Sequence, residues 1–256
     1  MNRNTAAVLV AHGTRKPGGV AMVEELARRV GEVLDREVRV AFVDVLGPTP
    51  TDVLNGLPQD RPAVLVPAFL AGGYHVRADV PAHVQASTHP DVTVTRPLGP
   101  CAGTVRVLAD RLFESGWRPG DSVILAAAGT SDRSAQSDLR QTAAMLSALI
   151  GDRVELGYAA TGAPTVADAV AAARARSEGG RGRGERSDGG RGRGERSDGG
   201  RICVASYLLA DGLFQDRLRT SGADIVSEPL GIHPGMIRLI ASRFRRAQAA
   251  HLPLAA

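Results

Sequence analysis

Cysteine is almost absent: Cys101 and Cys203 are the two in 256 residues, too few and too far apart for a disulfide framework, so both are expected as thiols in a reducing compartment. Aromatic residues are scarce as well, 4% against 43% hydrophobic overall. The core must therefore come mainly from Ala, Val and Leu, which favours helices packed on a buried parallel sheet. No segment approaches the roughly 20 apolar residues a membrane helix needs. The apolar start runs straight into a polar loop without the small-residue pattern of a cleavable leader. A cytoplasmic chain without a membrane segment is the expectation. Charge of one sign is lacking too: 31 basic residues face 27 acidic ones, net +4, unlike the one-sided field of a dedicated nucleic-acid binder. There is no paired CxxC, HExxH, EF-hand or Walker loop, which removes closed zinc sites, zincin proteases, calcium loops and P-loop nucleotide chemistry. Ala11 precedes His12, so the Arg-His-Gly order of histidine phosphatases is missing as well.

Short β-rich apolar runs alternate with segments of helical period, the pattern of βα units around parallel sheets. Strands are expected at Ala6 to Ala11, Val38 to Val43, Ala63 to Ala68 and Val92 to Thr95. A second set is expected at Ser122 to Ala127, Val154 to Ala159, Ile202 to Ser206 and Asp224 to Ser227. In the first half, helices are expected near Val20 to Leu34, Thr51 to Leu57, Arg77 to Ser87 and Thr104 to Ser115. The halves look duplicated. VLVAHGTR (Val8 to Arg15) matches ILAAAGTS (Ile124 to Ser131) at an offset of 116, which sets Ala128 opposite His12 and Pro164 opposite Pro48. PLG at Pro97 to Gly99 recurs at Pro229 to Gly231, where the offset is 132, so extra residues sit in the second half. They are visible as RGRGERSDGG, repeated in tandem at Arg181 to Gly190 and Arg191 to Gly200. From Ser177 to Gly200 there are ten Gly and no apolar residue, so this insertion is expected to stay unordered. Its six Arg face five acidic residues with no aromatic for base stacking, which favours a passive expansion over an RNA-binding arm. The expected architecture is α/β, with two similar lobes (1–118 and 119–256, the latter carrying the insertion 177–200), each a parallel four-stranded sheet flanked by helices.

Ligands of open α/β sheets gather at the carboxyl ends of the strands. His12 stands immediately after the first strand, followed by Gly13, Thr14, Arg15, Lys16 and a Pro-Gly-Gly turn. A strand-end His alone fits a structural or merely exposed position equally well. A second cluster, Phe69-Leu-Ala-Gly-Gly-Tyr-His75-Val-Arg77-Ala-Asp79, also follows an apolar strand directly, so two imidazoles could converge on one cleft. Gly72 and Gly73 permit close backbone approach or positive φ, and Pro81 suits an early helical turn. Neutral imidazole binds Fe²⁺, Co²⁺, Ni²⁺ and Zn²⁺, and two ligands leave open positions, unlike a closed structural zinc site. His83 and His89 read as an exposed helix position and a helix end, and His251 lies in a terminal tail. His233 and its first-lobe counterpart Cys101 remain open.

LVAHGTR, VPAFLAGGYHVRADVP and RPLGP, in this order and spacing, resemble the class II tetrapyrrole chelatases, most of all the sirohydrochlorin chelatases. The resemblance covers residues 6–115 well and extends more weakly over 121–246, through ILAAAGTSDRSAQ, CVASYLLADGLFQDRL and EPLGIHPGM. It implies two chelatase-like lobes enclosing the tetrapyrrole and insertion of a divalent metal without ATP. His12 and His75 would be the catalytic and metal-handling pair. The second lobe has Ala128 at the first position and no His around Phe214 and Gln215, so one active site per chain is implied.

Metal insertion releases both pyrrolic protons, and a His with an unperturbed pKa of about 6.5 can accept one near neutrality. Arg15, Lys16 and Arg77 are candidates for the substrate's carboxylates, and Gly72, Gly73 and Tyr74, with Phe69 and Leu70, for its flat ring. No permanently bound cofactor is expected, since Fe²⁺ or Co²⁺ is itself a substrate. Iron is favoured on family grounds, with a cobalt chelatase of a cobalamin route as the alternative. Two further readings are a non-enzymatic metal or tetrapyrrole carrier and an RNA-associated protein acting through the Arg/Gly repeat. Two fused lobes complete a cleft without a second chain, so a monomer is expected, with no nucleic-acid or membrane partner.

Overall fold

The computed structural model describes residues 5–14, 16–181 and 200–250. The first lobe runs β1 (Ala6–Ala11), α1 (Pro17–Leu34), β2 (Val38–Phe42), α2 (Pro50–Asn55), β3 (Ala63–Pro67), a π-helical turn (His75–Asp79), α3 (Val80–Ala86), β4 (Val92–Val94) and α4 (Ala102–Glu114). The second repeats the plan with β5 (Ser122–Gly129), α5 (Arg133–Ile150), β6 (Val154–Thr161), α6 (Val166–Arg181), β7 (Ile202–Tyr207), α7 (Leu213–Arg219), β8 (Ile225–Val226) and α8 (Pro234–Ala250). All pairings are parallel, in the orders β2-β1-β3-β4 and β6-β5-β7-β8. β1 and β3 are buried at every position, as expected of strands covered on both faces. Ser177 to Arg181, expected within the unordered insertion, instead continue α6; the preceding AAARAR is made of strong helix formers. Residues 182–199, which hold most of the repeat, lie outside the described residues.

The duplication extends to single hydrogen bonds. Phe42 N–H donates to Pro48 O at 2.9 Å, and Tyr158 N–H, 116 residues on, donates to Pro164 O at 3.0 Å. Thr49 and Asp52 form a capping box on α2, and Thr165 and Asp168 make the same bonds before α6, so each helix begins with its free N–H groups partnered. Gly13 and Gly129 have φ of +99° and +100°. A Cβ on either would overlap a carbonyl oxygen, that of Asp44 or Thr161, so the sharp turn after each first strand requires glycine.

The first sheet is built from strands within residues 6–94 and the second from strands within 122–226, but the helices are shared. α8 packs on β3 of the first sheet beside α1, whereas α4 packs on β7 of the second beside α5. Each lobe therefore gives its last helix to the other. The four helices form one central layer whose core includes Leu26, Leu108, Leu146 and Phe244, each fully buried. Smaller cores lie outside, with Val53 and Leu54 of α2 on the first sheet and Val166 and Val170 of α6 on the second. Hydrophobic period fixes which face of a helix is buried, not which sheet it covers.

In each sheet the chain leaves the first strand toward one neighbour and returns on the other side. The crevice beyond the carboxyl ends of β1 and β3 is thus a topological switch point. His12 and the loop leading to His75 emerge there.

Candidate functional site

His12 and His75 meet edge to face, with ring centroids 4.4 Å apart and planes at 78°. Each ring is held at Nδ1. His12 Nδ1 lies 3.2 Å from Gly13 O, an atom that can only accept, so this nitrogen carries the hydrogen. His75 Nδ1 lies 2.5 Å from Asp79 Oδ2, where the ring again donates. In both neutral imidazoles this leaves the lone pair on Nε2, the arrangement that prepares a His to take a metal or a proton.

The local sequence explains the His75–Asp79 pair. Pro81 has no N–H, and with helical turns already preceding it from His75 its ring crowds the carbonyl four residues back; Val80 N–H reaches back five residues to His75 O, making the π turn. Such turns recur at functional sites, and this one brings residues 75 and 79 together. Phe69 stacks on the far side of His75 at 6.1 Å, and Tyr74 meets it edge-on at the same distance.

The pair opens into a cavity of about 490 Å³ between the lobes, a volume within the small-molecule range. Gly73 and Tyr74 line it from the first lobe, and Ala128, Thr130, Tyr207 and Phe214 from the second. The sheet registers pair Ala6 with Ala63 and Ser122 with Ile202. Since Ser122 stands in the place of Ala6, Ile202 stands in that of Ala63, and the same count sets Leu213, Phe214 and Leu218 in the places of Tyr74, His75 and Asp79. The second lobe has thus lost both imidazoles and the supporting carboxylate, and shows the cavity an apolar wall. Tyr74 on its lining and Leu213, the equivalent residue beside Phe214, stay 65% and 56% exposed, more apolar surface than the core explains.

The same correspondence accounts for Lys16 and Arg77. Lys16 Nζ binds Asp216 Oδ2 at 2.7 Å and Arg77 binds Asp132, both in the second lobe. Asp132 stands in the place of Lys16 and Asp216 in that of Arg77, so the two bridges are pseudo-symmetric copies with both cations on one lobe and both anions on the other. The N–H of Ala135, then that of Ser134 and the Arg77 guanidinium, hold the Asp132 carboxyl below its ordinary range against the opposing effect of burial. Neither Lys16 nor Arg77 lines the cavity. Arg15 lies outside the described residues. Gly72 sits behind the cavity wall, its N–H donating to Asp138 Oδ2 at 2.7 Å. Neither Gly72 nor Gly73 has positive φ; a Cβ on Gly72 would come 3.3 Å from Asp138 Oδ2, a close approach, whereas one on Gly73 would make ordinary contact with Ala135 Cβ at 3.6 Å.

Asp79, Asp138 and Tyr207 are additions to the residues expected from sequence. Tyr207, buried, donates its hydroxyl to Leu70 O at 2.8 Å, and burial pushes that hydroxyl up to about 12. Asp138 and Tyr207 thus hold the loop before His75 from the second lobe. Asp79 was signalled by its four-residue spacing from His75; the other two contacts bridge 66 and 137 residues and leave no local trace.

The remaining candidates lie elsewhere. Cys101 and His233 both act as helix starts: Cys101 shares a capping box with Thr104 on α4, and His233 Nδ1 accepts from Gly235 N–H on α8 at 3.0 Å. His83 is half-buried against Thr51 at 2.9 Å rather than exposed, and His89 is buried. Burial pushes the Cys203 thiol up to about 12, which leaves it inert. His251 lies outside the described residues. Among the described residues no cluster of three or more His, Cys, Asp or Glu could hold a metal, and no helix is long and apolar enough to cross a membrane.

The model of the CbiX family matches residues 6–115. This stretch carries both histidines, and the match agrees with the resemblance to class II chelatases read from the sequence. A sirohydrochlorin cobaltochelatase of Methanopyrus kandleri is 38% identical over 79 residues, 30% of this chain and 55% of that protein. The match therefore spans about half of that relative's length. Likeness of fold extends beyond that stretch. SirB from Bacillus subtilis with Fe³⁺ superposes with a TM-score of 0.74 at 18% identity, over 96% of each chain. The sirohydrochlorin chelatase SirB from Bacillus subtilis subspecies spizizenii in complex with cobalt gives 0.69 at 18% identity, over 97% of each. The second lobe, outside the family match, thus keeps the chelatase fold.

Proposed function

We propose that this chain is a sirohydrochlorin chelatase that inserts a divalent metal, Fe²⁺ in its physiological reaction, into the free-base macrocycle without ATP. The observation that carries this reading is the pair of Nε2 lone pairs, each fixed by an Nδ1 partner, beside an apolar cavity between two lobes. The flat ring enters between Tyr74 and Phe69 on one side and Phe214 and Leu213 on the other, its carboxylates remaining at the open rim. His12 and His75 hold M²⁺ over one face. As the metal passes to the four ring nitrogens, both pyrrolic protons leave: an imidazole freed of metal takes one at Nε2, and the other passes to solvent water at the open rim. At His75 the Asp79 carboxylate balances the charge of the imidazolium that forms, so His75 is assigned chiefly as base and His12 chiefly as ligand. Gly72 and Gly73 let the loop lie close against α5. Lys16 and Arg77 fasten the rim through their acids, and a substrate carboxylate must compete with Asp216 or Asp132 to reach them. The Methanopyrus relative favours Co²⁺ as a second reading, since imidazole serves both metals.

An anaerobic absorbance assay of the purified chain with sirohydrochlorin and Fe²⁺ or Co²⁺ tests the reading. Catalytic metallation with turnover is expected. No acceleration over the enzyme-free mixture with either metal, or binding without turnover as in a carrier, contradicts it. The anchoring of the loop gives a further result. Asp138→Ala, which removes the acceptor of Gly72 N–H, is expected to lower kcat about tenfold by misplacing His75. Asp138→Asn, whose side-chain oxygen still accepts, is expected to retain most of it. Equal rates in both variants would show that the loop stands without this bond.

A further inference from the structure

We infer that the second lobe holds a carboxylate-binding subsite at the cavity rim, formed by the Arg217 guanidinium on the Phe214 platform, and that it reads the acidic side chains of the tetrapyrrole. The inference rests on the chelatase reading above. Lys16 and Arg77 are each paired with an acid of the second lobe, and Arg219 is paired with Asp211 and Glu228. Arg217, between them in sequence, is in no ion pair among the described residues. Its position is nevertheless fixed. One Nη donates to Ala159 O at 2.9 Å, and its central carbon lies 5.8 Å from the centre of the Phe214 ring. Phe214 lines the cavity, as does Ala160, next to the carbonyl that Arg217 holds.

A guanidinium has five N–H donors in a planar fork, so one spent on Ala159 leaves others directed outward. With its face partly desolvated by the aromatic ring and no competing acid, Arg217 is pre-organised to take a carboxylate through paired N–H bonds. A macrocycle lying against Phe214 brings an acetate or propionate side chain to that position, one helical turn along α7. Where the first lobe uses position 75 for metal chemistry, the second uses the equivalent ring of Phe214, with Arg217 beyond it, for recognition. Arg217 is thereby a specificity residue that touches the substrate's rim and not its metal.

The test is steady-state insertion of Co²⁺ into sirohydrochlorin by the full chain. Arg217→Ala is expected to raise KM about tenfold, equivalent to about 1.4 kcal/mol, with kcat within about twofold of wild type. Arg217→Lys, which keeps the charge but loses the fork, is expected to fall between. Wild-type KM rises with ionic strength, and the Arg217→Ala dependence is flatter. A sirohydrochlorin octa-ester, lacking the charges, is expected to show equal KM with wild type and Arg217→Ala. Unchanged KM for the acid in Arg217→Ala, or an equal rise for acid and ester, overturns the subsite. A wild-type chain that metallates nothing overturns the chelatase reading itself, so the two failures are distinguishable. Thermal melts identify any variant that has lost its fold, and in that case Arg217→Gln replaces it with the same expected KM rise.

Discussion

Alanine at position 75 is expected to lower kcat for metal insertion about 100- to 10,000-fold, while KM for the tetrapyrrole stays within about threefold. Alanine at position 12 is expected to do the same. The asymmetry between kcat and KM follows from the geometry: the two rings meet each other at 4.4 Å, while the surfaces that receive the macrocycle are supplied mainly by Phe69, Tyr74 and the second lobe. On the proposed reading both imidazoles act on one cation, so the double variant is expected to be no slower than the worse single one, the non-additivity of groups that act as a unit. Initial rates by absorbance at varied tetrapyrrole settle the matter. A single variant within about twofold of wild type would remove that histidine from the chemistry.

Asp79 is expected to matter nearly as much, although its partner is His75 Nδ1 and not the metal or the macrocycle. Removing the carboxylate behind a metal-handling imidazole costs about 10- to 100-fold in affinity or activity. Asp79→Ala should therefore weaken Co²⁺ binding and slow insertion together. Asp79→Asn separates two roles, because its amide oxygen can still accept from Nδ1 and hold the ring. If orientation sets metal affinity and charge sets proton uptake, the Asn variant recovers the first and not the second. Paired cobalt titrations and rate measurements on both variants check this, and normal affinity and rate in Asp79→Ala would contradict it. The second lobe offers a natural comparison: Leu218, Phe214 and Ala128 stand in the places of the acid and both histidines.

The strands were legible because parallel sheets buried on both faces are written as unbroken apolar runs, Ala6 to Ala11 and Ala63 to Pro67 among them. The meeting of His12 and His75 was legible for a related reason, since a His following each of two such runs is delivered to the same switch point. Exchange of α4 and α8 was not, because an amphipathic helix records that it is buried and not by what. Charge was misleading in the same way. Lys16 and Arg77 stand beside the histidines in sequence and read as substrate contacts, but partners 200 and 55 residues away hold them. Arg217 carries no local mark at all; what singles it out is a guanidinium set over the cavity-lining Phe214 with no ion pair among the described residues.

X-ray absorption of the Co²⁺-loaded chain, compared with the two single alanine variants, addresses the arrangement of the metal ligands directly. Two imidazole nitrogens on cobalt in the wild type, falling to one in His12→Ala and one in His75→Ala, is the expected result. An imidazole count that neither substitution changes would show that the paired rings are not what holds the metal.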